Sequence, residues 1–451
     1  MPDGAREFNF DVVVVGAGPA GLAAAAMAAE CGRRVALVEG TPWLGGQIWR
    51  GQESHPTTTA ALHWLDRLQR SGARVFRAAT VFGAPQAKVL LAEQLASHEP
   101  QVAGAGCPQP AARGAPGTAR PTPLAFTWRK LIVATGAREL FLPFPGWTLP
   151  NVVGAGGLSA LVKGGLPVRG KRVVVAGSGP LLIAVAAELR RHGAKVACIA
   201  EQAGFRSLLR FGLRLPWLAP AKLAQAIGYQ YGLLGVPFRT HCWPVQATGH
   251  DRVEAVVLTD GDTRWTEPCD YVACGFGLVP NLELPQLLGC RVENGAVQVN
   301  RLGETSLSDV FCAGEPTGIG GAERAVLEGQ IAGLAAAGRE AAASRLLPAR
   351  ARQQRFAEAL ARAFALRPEL KDLSRPDTTI CRCEDVPHAA LECCHGWHEA
   401  KLHTRCGMGP CQGRVCGGAT RFLFGWDHNS TRPPILPVSL GALRWSEPPS
   451  R

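Results

Sequence analysis

The stretch DVVVVGAGPAGLAAAAMAAECGRRVALVEG, residues 11–40, joins a valine run, a glycine-rich turn, an alanine-rich run and a second short apolar run. This order predicts a buried strand at 12–15, a helix ending near residue 31 and a second strand at 35–38. A glycine turn between a strand and a helix is typical of a dinucleotide-binding fold, whereas a glycine motif alone is a weak signal.

Each glycine of the turn has a separate physical role. Gly16 permits a tight turn, Gly18 lets a pyrophosphate approach the backbone, and Gly21 lets the helix pack closely on the strand. The start of the helix offers unpaired N–H groups and the positive end of its dipole to phosphates. Glu39 follows about twenty residues later, where an acid binds ribose hydroxyls and disfavours a 2′-phosphate.

A second copy of this pattern occurs in KRVVVAGSGPLLIAVAAELRRHGAKVACIAE, residues 171–201. Gly177 and Gly179 match the first two glycines and Glu201 repeats the terminal acid, but Leu182 stands where the third glycine belongs. A side chain there holds the helix away from the strand. The repeat therefore predicts a second nucleotide fold, and leaves open whether it binds NAD(H) or has a structural or docking role.

Composition excludes several classes of protein. The chain has 451 residues, 47% hydrophobic and 19% charged, which is ordinary for globular domains. We expect no signal peptide, because the first valine run leads directly into a glycine turn. No apolar run approaches the ~18 residues of a membrane span, so we expect a cytoplasmic protein. The net charge of +12 comes without a Lys/Arg block, which favours a basic docking surface over nucleic-acid binding.

Four motifs occur in the order seen in the flavoprotein family with two dinucleotide-binding domains, which residues 8–335 resemble. They are GAGPAG with Glu39, GGQ at 45–47, ATG at 134–136 and AGE at 313–315. The resemblance implies FAD, held by Gly16, Gly18, Pro19, Ala20, Gly21, Glu39, Gly46, Gln47, Thr135, Gly136, Gly314, Glu315 and Ala322. The family usually has Asp where this chain has Glu315. The redox C-x-x-C of its disulfide reductases is missing in the corresponding regions, so we do not expect dithiol chemistry.

Cysteines are concentrated near the end of the chain, where seven of the fifteen are Cys381, Cys383, Cys393, Cys394, Cys406, Cys411 and Cys416. The segment resembles the 2Fe–2S domain of bacterioferritin-associated ferredoxin, in which a C-x-C pair precedes a helical stretch and a second pair precedes a helix. Four thiolates suit an iron–sulfur cluster; zinc, or no metal, are the alternatives. His395, His398 and His403 are expected to be surface residues.

The second cysteine pair is ambiguous, because Cys406/Cys411 and Cys411/Cys416 have the same spacing. Cys416 leads directly into GGATRFLFG, the predicted helix. The ligand set that the resemblance implies is therefore Cys381, Cys383, Cys411 and Cys416, with Cys406 beside the cluster.

The segments ATGARELFLPFPGWTLPNVVGAGG, GSGPLL, ACGFGLVPN and TRCGMGPCQGRVCG resemble the larger accessory subunit of heteromeric amine dehydrogenases. That group includes opine oxidases, the D-hydroxyproline and proline dehydrogenases and hydrogen cyanide synthase. The resemblance implies a catalytic partner subunit of the D-amino-acid-oxidase type with its own FAD, an FMN between subunits and a small ferredoxin-like subunit. It implies an electron-transfer role in oxidising an amino acid or secondary amine, with a quinone or dye as acceptor.

Two other functions remain open: a stand-alone NADH-dependent ferredoxin-type reductase, and a scaffold whose first fold holds NAD or ATP in place of FAD. We find no Ser/His/Asp arrangement and no substrate base, so no catalytic residue is assigned. The particular amine and the subunit stoichiometry are not encoded in these motifs.

The expected fold class is α/β, with two Rossmann-like domains of the FAD/NAD(P)-linked reductase type and a small helical 2Fe–2S domain. The expected divisions are 1–150 for the first part of the FAD domain with an Ala/Gly/Pro-rich insertion at 97–123, 151–275 for the second nucleotide-binding domain, 276–335 for the return segment of the FAD domain, 336–376 for a helical connector, 377–430 for the 2Fe–2S domain and 431–451 for a tail.

One further stretch, GFRSLLRFGLRLP, carries Arg206, Arg210 and Arg214 at helical spacing opposite Leu and Phe. Three interpretations remain open: a basic anchor on a membrane surface, a subunit-docking face and a plain solvated face. We expect the helix to stop at Pro216 and any contact with the inner membrane to be peripheral.

Overall fold

A computed structural model describes residues 4–53, 58–95, 121–428 and 431–444. The chain forms two compact units, each assembled from separated segments. The first unit comprises Met1–Gly136, Pro280–Arg350 and Ser430–Arg451, and the second comprises Ala137–Val279 and Ala351–Asn429.

The strands, in chain order, are β1 (Arg6–Val15), β2 (Val35–Val38), β3 (Arg74–Phe76), β4 (Ala79–Gly83), β5 (Val89–Gln94), β6 (Thr122–Val133), β7 (Ala137–Glu139), β8 (Val152–Gly154), β9 (Arg172–Gly177), β10 (Lys195–Glu201), β11 (Phe238–Thr240), β12 (Trp243–Thr248), β13 (Ala255–Thr259), β14 (Arg264–Pro268), β15 (Tyr271–Gly275), β16 (Leu278–Pro280), β17 (Val292–Glu293), β18 (Ala296–Val297), β19 (Val310–Cys312), β20 (Thr379–Cys381) and β21 (Val386–Pro387).

The α-helices are α1 (Pro19–Glu30), α2 (Thr59–Arg70), α3 (Ala155–Lys163), α4 (Leu181–Arg191), α5 (Phe205–Leu218), α6 (Pro220–Gly232), α7 (Glu283–Leu288), α8 (Ala322–Ala336), α9 (Glu340–Ser344), α10 (Leu347–Ala363), α11 (Ala389–Glu392), α12 (Trp397–Thr404) and α13 (Cys416–Phe424). Short 3₁₀ turns cover Glu315–Thr317, Pro368–Leu373 and Leu440–Leu443.

The first unit is built on a mixed sheet in the order β3-β2-β1-β6-β5-β4, with β19 also paired to β6. Strand β1 runs parallel to both β2 and β6, while β4, β5 and β6 form an antiparallel meander. The valines of β1 are buried on both faces, as expected for a central strand of a covered sheet. The predicted second strand is confirmed at Val35–Val38, and β6 leads from Thr122 to Val133, directly before the ATG motif at 134–136.

Helices α1 and α8 approach each other closely because small residues line their contact. A Cβ added at Gly329 would lie 2.1 Å from the carbonyl oxygen of Ala20, and one added at Gly333 would lie 2.5 Å from that of Ala24. The other alanines of α1 and its leucine are also buried. This contact fixes α1, and with it the glycine loop at its start, against the return segment of the unit.

The second unit contains a parallel sheet in the order β11-β10-β9-β15-β8 and an antiparallel meander of β12, β13 and β14. Helix α4 packs on β9 and β10, as in the first unit's β-α-β arrangement. The same unit includes most of α10 and the C-terminal elements β20, β21 and α11 to α13, of which β20 and α13 carry cysteines. The predicted α/β class with two Rossmann-type folds is confirmed.

Three expectations concern the helix end at Pro216, the insertion and the tail. The prediction that Pro216 ends its helix is wrong, because α5 continues to Leu218 with Pro216 inside it. Of the predicted insertion at 97–123, Thr122 and Pro123 belong to β6, and residues 97–120 lie outside the described residues. Residues 445–451 of the predicted tail also lie outside them. Among the described residues, every helix is too short or too polar to cross a bilayer.

Candidate cofactor sites

The first glycine loop has the close contacts that its sequence predicts. A Cβ at Gly16, where φ is +99°, would lie 2.3 Å from the carbonyl oxygen of Ala134, and one at Gly21 would lie 1.7 Å from that of Gly16. At Gly18, in contrast, a Cβ would meet nothing within 4 Å. The open side of the loop therefore lies at Gly18, beside the start of α1 at Pro19, where a pyrophosphate fits.

The acid after β2 is bound to this loop. Glu39 is buried, and its Oε2 accepts the N–H of Ala17 at 2.8 Å. Its Oε1 accepts the N–H of Thr41 and the Thr41 hydroxyl, each at 2.9 Å. These hydrogen bonds hold the carboxylate at the carboxyl end of β2, beside the glycine loop, where an acid meets a ribose.

The other predicted FAD motifs converge on the same loop. The N–H of Gly45 donates to the carbonyl of Ala17 at 2.8 Å. A Cβ at Gly46 would lie 3.0 Å from the Cα of Gly18, and one at Gly314 would lie 2.9 Å from the Cβ of Ala20. Gln47 is exposed next to this group. Residues distant in sequence are thus brought to one edge of the first sheet.

Thr135 and Gly136 are fixed by Asn281, a contact that the sequence did not predict. The Thr135 hydroxyl donates to the Asn281 carbonyl, and the Asn281 amide donates to the Thr135 carbonyl, both at 2.8 Å. The Asn281 N–H donates to the carbonyl of Gly136 at 3.0 Å. The segment GLVPN resembles the related subunits, but nothing in its sequence marks Asn281 as a partner of the ATG motif.

The predicted acid Glu315 closes the turn before α8. Its two carboxylate oxygens accept the N–H groups of Gly320 and Gly321 at 2.9 and 3.0 Å, directly before Ala322. Burial raises the pKa of Glu315, and the two backbone donors oppose that shift. This orders the glycine turn against which a cofactor would lie.

A buried ion pair behind this turn was also missed. Arg324 donates to Glu328 at 2.9 Å, and both side chains are buried. The other oxygen of Glu328 accepts the N–H of Gly314 at 3.0 Å and the Thr317 hydroxyl at 2.8 Å. The spacing of four residues was visible in the sequence, but such pairs usually lie on solvated helix faces. Burial alone distinguishes this one.

In the second glycine loop a leucine stands at the third glycine position, and the terminal acid Glu201 is hydrogen-bonded to the loop. Leu182 is fully buried and packs between α4 and the sheet with Val175 and Ala186. The carboxylate of Glu201 accepts the N–H of Gly179 at 2.7 Å and that of Ala203 at 2.9 Å. Burial raises the pKa of Glu201 to about 7 against the opposing effect of these donors.

The crevice of the second fold is bordered by the chain's own connector. The Ser178 hydroxyl donates to the carbonyl of Phe364 at 3.0 Å, and the Gln202 amide donates to that of Ala365 at 3.2 Å. The N–H of Arg367 donates back to the Gln202 side chain at 3.2 Å. Since Ser178 and Gln202 follow β9 and β10, segment 364–367 lies where a nucleotide binds in such folds.

Three of the C-terminal cysteines form a buried group. The Sγ atoms of Cys381, Cys406 and Cys416 all lie within 4.8 Å of one another. Hydrogen bonds from Cys406 and Cys416 hold the pKa of Cys381 down at about 2, whereas the bond to Cys381 raises the pKa of Cys406 to about 12. The same contact with Cys381 raises the pKa of Cys416. The Gly407 N–H also donates to the Cys381 sulfur at 3.5 Å.

Two further thiols form a pair. Cys383 is exposed. The N–H of Cys411 donates to the Cys383 sulfur and lowers the Cys383 pKa, whereas the hydrogen bond with the Cys411 thiol raises that pKa. With burial and the charges of neighbouring thiolates, the net shift of the Cys383 pKa is upward. A Cβ at Gly409 would lie 2.3 Å from the Cys383 Cβ. This turn thus needs glycine to approach Cys383.

The predicted ligand set is therefore divided between these groups. Cys381 and Cys416 belong to the buried trio, and Cys383 and Cys411 to the pair. Cys406, expected beside the cluster, completes the trio. Thiolate sulfurs are what iron–sulfur clusters and structural zinc bind, so the donor set fits either metal group.

Aromatic rings support the turn that carries these cysteines. Trp397 stacks on His428 with ring centroids 4.0 Å apart. A Cβ at Gly407 or at Gly413 would lie 2.4 or 2.9 Å from the Trp397 ring, and one at Gly417 would lie 2.6 Å from the His428 ring. Burial, followed by the charges of nearby arginines, lowers the pKa of His428 to about 4. A neutral His428 is therefore part of the packed module.

Comparison with known proteins gives the family of the chain. The family model described as pyridine nucleotide-disulphide oxidoreductase matches residues 10–329. An opine oxidase subunit of Rhizobium meliloti (strain 1021) is 31% identical, over 96% of this chain and 98% of that protein. Hydrogen cyanide synthase subunit HcnB of Pseudomonas aeruginosa is 30% identical, over 97% of this chain and 98% of that protein.

The fold has a solved counterpart. A crystal structure of L-proline dehydrogenase from P. horikoshii covers 98% of this chain and 80% of that chain, with a TM-score of 0.68 at 19% identity. Together with the glycine loop and its buried acid, these matches show that the chain is a flavin oxidoreductase of the pyridine nucleotide-disulphide oxidoreductase family, related along nearly its whole length to proteins named as subunits of opine oxidase and hydrogen cyanide synthase.

Proposed function

We propose that this chain is the flavin- and iron–sulfur-containing electron-transfer subunit of a heteromeric dehydrogenase that oxidises an amino acid or a secondary amine. A partner subunit of the D-amino-acid-oxidase type would oxidise the C–N bond, with a quinone or another non-oxygen molecule as final acceptor. A small ferredoxin-like subunit and an FMN between subunits are further components of this proposal. The candidate substrates are D-hydroxyproline, proline, opines and glycine.

The observation that carries the proposal is the buried thiol group Cys381, Cys406 and Cys416 in a chain with a complete first dinucleotide loop. Disulfide reductases of this fold work with a redox C-x-x-C, which this chain lacks, whereas seven of its cysteines are concentrated at 381–416. Flavins exchange electrons in pairs or singly, and a 2Fe–2S cluster carries one at a time. That combination suits a subunit that conducts electrons.

The residues of the first unit would hold FAD through two contacts. The loop at Gly16 to Gly21, with its open side at Gly18, would accept the pyrophosphate at the start of α1. Glu39, already oriented by Ala17 and Thr41, would accept the ribose hydroxyls. The backbone contacts of Gly16 and Gly21 fix the loop in the conformation that leaves Gly18 open.

We propose Cys381, Cys383, Cys411 and Cys416 as the ligands of a 2Fe–2S cluster. Hydrogen-bonded thiols support both halves of this set, since Cys383 contacts Cys411 and Cys381 contacts both Cys416 and Cys406. The choice of Cys416 over Cys406 rests on its position at the start of α13. Each iron of such a cluster takes two protein thiolates. Cys406 would remain a buried thiol in contact with the ligand sulfurs.

The test of the function is co-purification of the tagged chain from its native host. We expect a second, flavin-bearing subunit, iron and acid-labile sulfide, and reduction of a dye by one of the candidate amines under anaerobic conditions. Purification as a single polypeptide that oxidises none of these amines and reduces dye with NADH would reject the proposal.

A stand-alone NADH-dependent reductase is the second candidate, and segment 364–367 argues against it. Binding NADH in the second fold would require the bonds of Ser178 and Gln202 to this segment to break. The buried Leu182 also occupies the position of the third loop glycine. We therefore expect NADH to bleach the flavin slowly or not at all; rapid anaerobic bleaching by NADH alone would make the reductase the better assignment.

A further inference from the structure

Helix α5 has two apolar faces, and only one of them is packed against other described residues of the protein. Its inner face carries Phe211, Leu215 and Leu218, which form a small core with Phe356 of α10. The rings of Phe211 and Phe356 lie 6.0 Å apart. A surface helix needs one buried apolar stripe to be held in place, and this core supplies it.

The outer face carries a second stripe at four-residue spacing. Phe205, Leu209, Leu213 and Trp217 are 48% to 79% exposed. At roughly 100° per residue, these positions cover about a third of the helix circumference, away from the inner face. Continuation of α5 through Pro216 is what adds Trp217, the most exposed of the four, to this stripe.

The neighbouring helix extends the apolar surface. Helix α6 packs against α5, and Ile227, Tyr231 and the following Leu234 are 49% to 73% exposed. None of its residues is buried. Seven large apolar side chains thus face outward within thirty residues, 205–234. Large exposed apolar patches on a protein surface commonly mark a binding site.

The segment formed by α5 and α6, residues 205–232 and called the hairpin below, carries charge of a single sign. No Asp or Glu occurs from residue 202 to residue 250. Arg206, Arg210 and Arg214 are exposed on α5, rotated from the apolar stripe toward one edge of it. Their side chains are long enough to keep the guanidinium groups at the level of a polar boundary while their stems cover apolar surface.

We propose that the hairpin of α5 and α6 is a docking surface for an anionic lipid bilayer, on which it lies parallel to the membrane plane. An apolar stripe of Phe, Leu and Trp beside arginines is the pattern of helices that lie in the headgroup region. Trp217 and Tyr231 are of the residue types that favour the membrane–water boundary. A protein partner would need its own acidic rim to match a hairpin without acids, whereas an anionic leaflet offers negative charge and apolar depth at every point.

The test is co-sedimentation of the full chain with vesicles of phosphatidylglycerol and phosphatidylcholine, compared with phosphatidylcholine alone. We expect binding to the anionic vesicles that weakens as salt rises, because salt screens the arginines. The variant Leu213→Ser/Trp217→Ser should weaken binding about tenfold or more, because each buried apolar group contributes to insertion. Arg206→Gln/Arg210→Gln/Arg214→Gln should weaken binding to anionic vesicles selectively.

The control is Leu440→Ser, which removes an exposed leucine of the other unit and should leave vesicle binding unchanged. Flavin content and the thermal midpoint check that each variant is folded. Failure of the wild type to bind anionic vesicles at low salt overturns the proposal, as does equal binding of the Leu213→Ser/Trp217→Ser variant. Loss of self-association or of a co-purifying subunit in that variant, with vesicle binding retained, would assign the surface to a protein partner instead.

Discussion

At the residue scale, two glycines of the first loop are required by packing, and the third borders open space in which a ligand would lie. Gly16 and Gly21 are in contact with backbone atoms, while Gly18 faces open space. This division was predictable, because the spacing of the glycines encodes it. The partners of Thr135 and of Cys406 were not predictable, since they depend on how distant segments pack.

The first prediction follows from this division. Gly18→Leu should abolish flavin binding and change the free energy of unfolding by less than about 1 kcal/mol, because its side chain points into open space. Flavin absorbance and chemical denaturation measure the two effects. Gly21→Ala is the contrast, since its Cβ would collide with the Gly16 carbonyl and should impair both. Full flavin content in purified Gly18→Leu would contradict the site.

The second prediction concerns His428, whose pKa burial lowers to about 4 from 6.5. The folded state holds the neutral ring, so its contribution is complete above pH 6.5 and is lost as pH falls toward 4. At about 1.4 kcal/mol per pKa unit, the free energy of unfolding should fall by roughly 2–3 kcal/mol across this window. Unfolding measured at several pH values should show a weaker pH dependence for His428→Gln than for wild type.

The matched control is His250→Gln, which changes a histidine whose side chain is 91% exposed. It should retain the pH dependence of the wild type. Comparing variants cancels the effect of acid on any bound cluster, since that effect is common to all of them. An unchanged slope in His428→Gln would show that the Trp397–His428 stack tolerates a charged ring.

At the element scale, the sequence predicted covered strands well and exposed or irregular elements poorly. The buried run at Val35–Val38 is short and follows a glycine loop and a helix, which favours a covered parallel strand. The first nine residues of β6 mix polar and apolar residues, so their pairing with β5 was not readable from a buried run. Helix α5 passes Pro216 because the chain's packing on α10 outweighs the lost backbone bond.

The third prediction concerns the contact of α1 with α8. Gly333→Ala would bring a Cβ to 2.5 Å from the Ala24 carbonyl oxygen, so the helices must separate. We expect a loss of about 1–3 kcal/mol in the free energy of unfolding, measured by chemical denaturation. Gly228→Ala in α6 is the control, because nothing lies within 4 Å of its Cβ; it should stabilise the chain by about 0.5–1 kcal/mol. Equal effects of the two would contradict the packing.

At the scale of the whole molecule, the duplicated nucleotide folds were predictable, and the structural difference between their glycine loops was only partly so. Leu182 marked the second fold as altered. The hydrogen bonds of Ser178 and Gln202 to segment 364–367 were not readable, because they join residues more than 160 positions apart. The thiol trio and the thiol pair near the end of the chain likewise form through turns whose geometry no spacing rule specifies.

The last prediction uses the assignment of the glycine loop and the cysteines to different units. Replacing Cys416 with Ser should remove iron and the visible sulfur-to-iron absorption while leaving flavin content unchanged, because the flavin loop folds with the first unit. Cys406→Ser should keep nearly all its iron and at most shift the reduction potential, since a thiol beside the cluster acts only on the ligand sulfurs. Iron and flavin per chain in anaerobically prepared protein measure both. If Cys406→Ser loses its iron and Cys416→Ser keeps it, Cys406 is the ligand in place of Cys416. If the wild type holds zinc and no iron, the site is a structural zinc site and not a cluster.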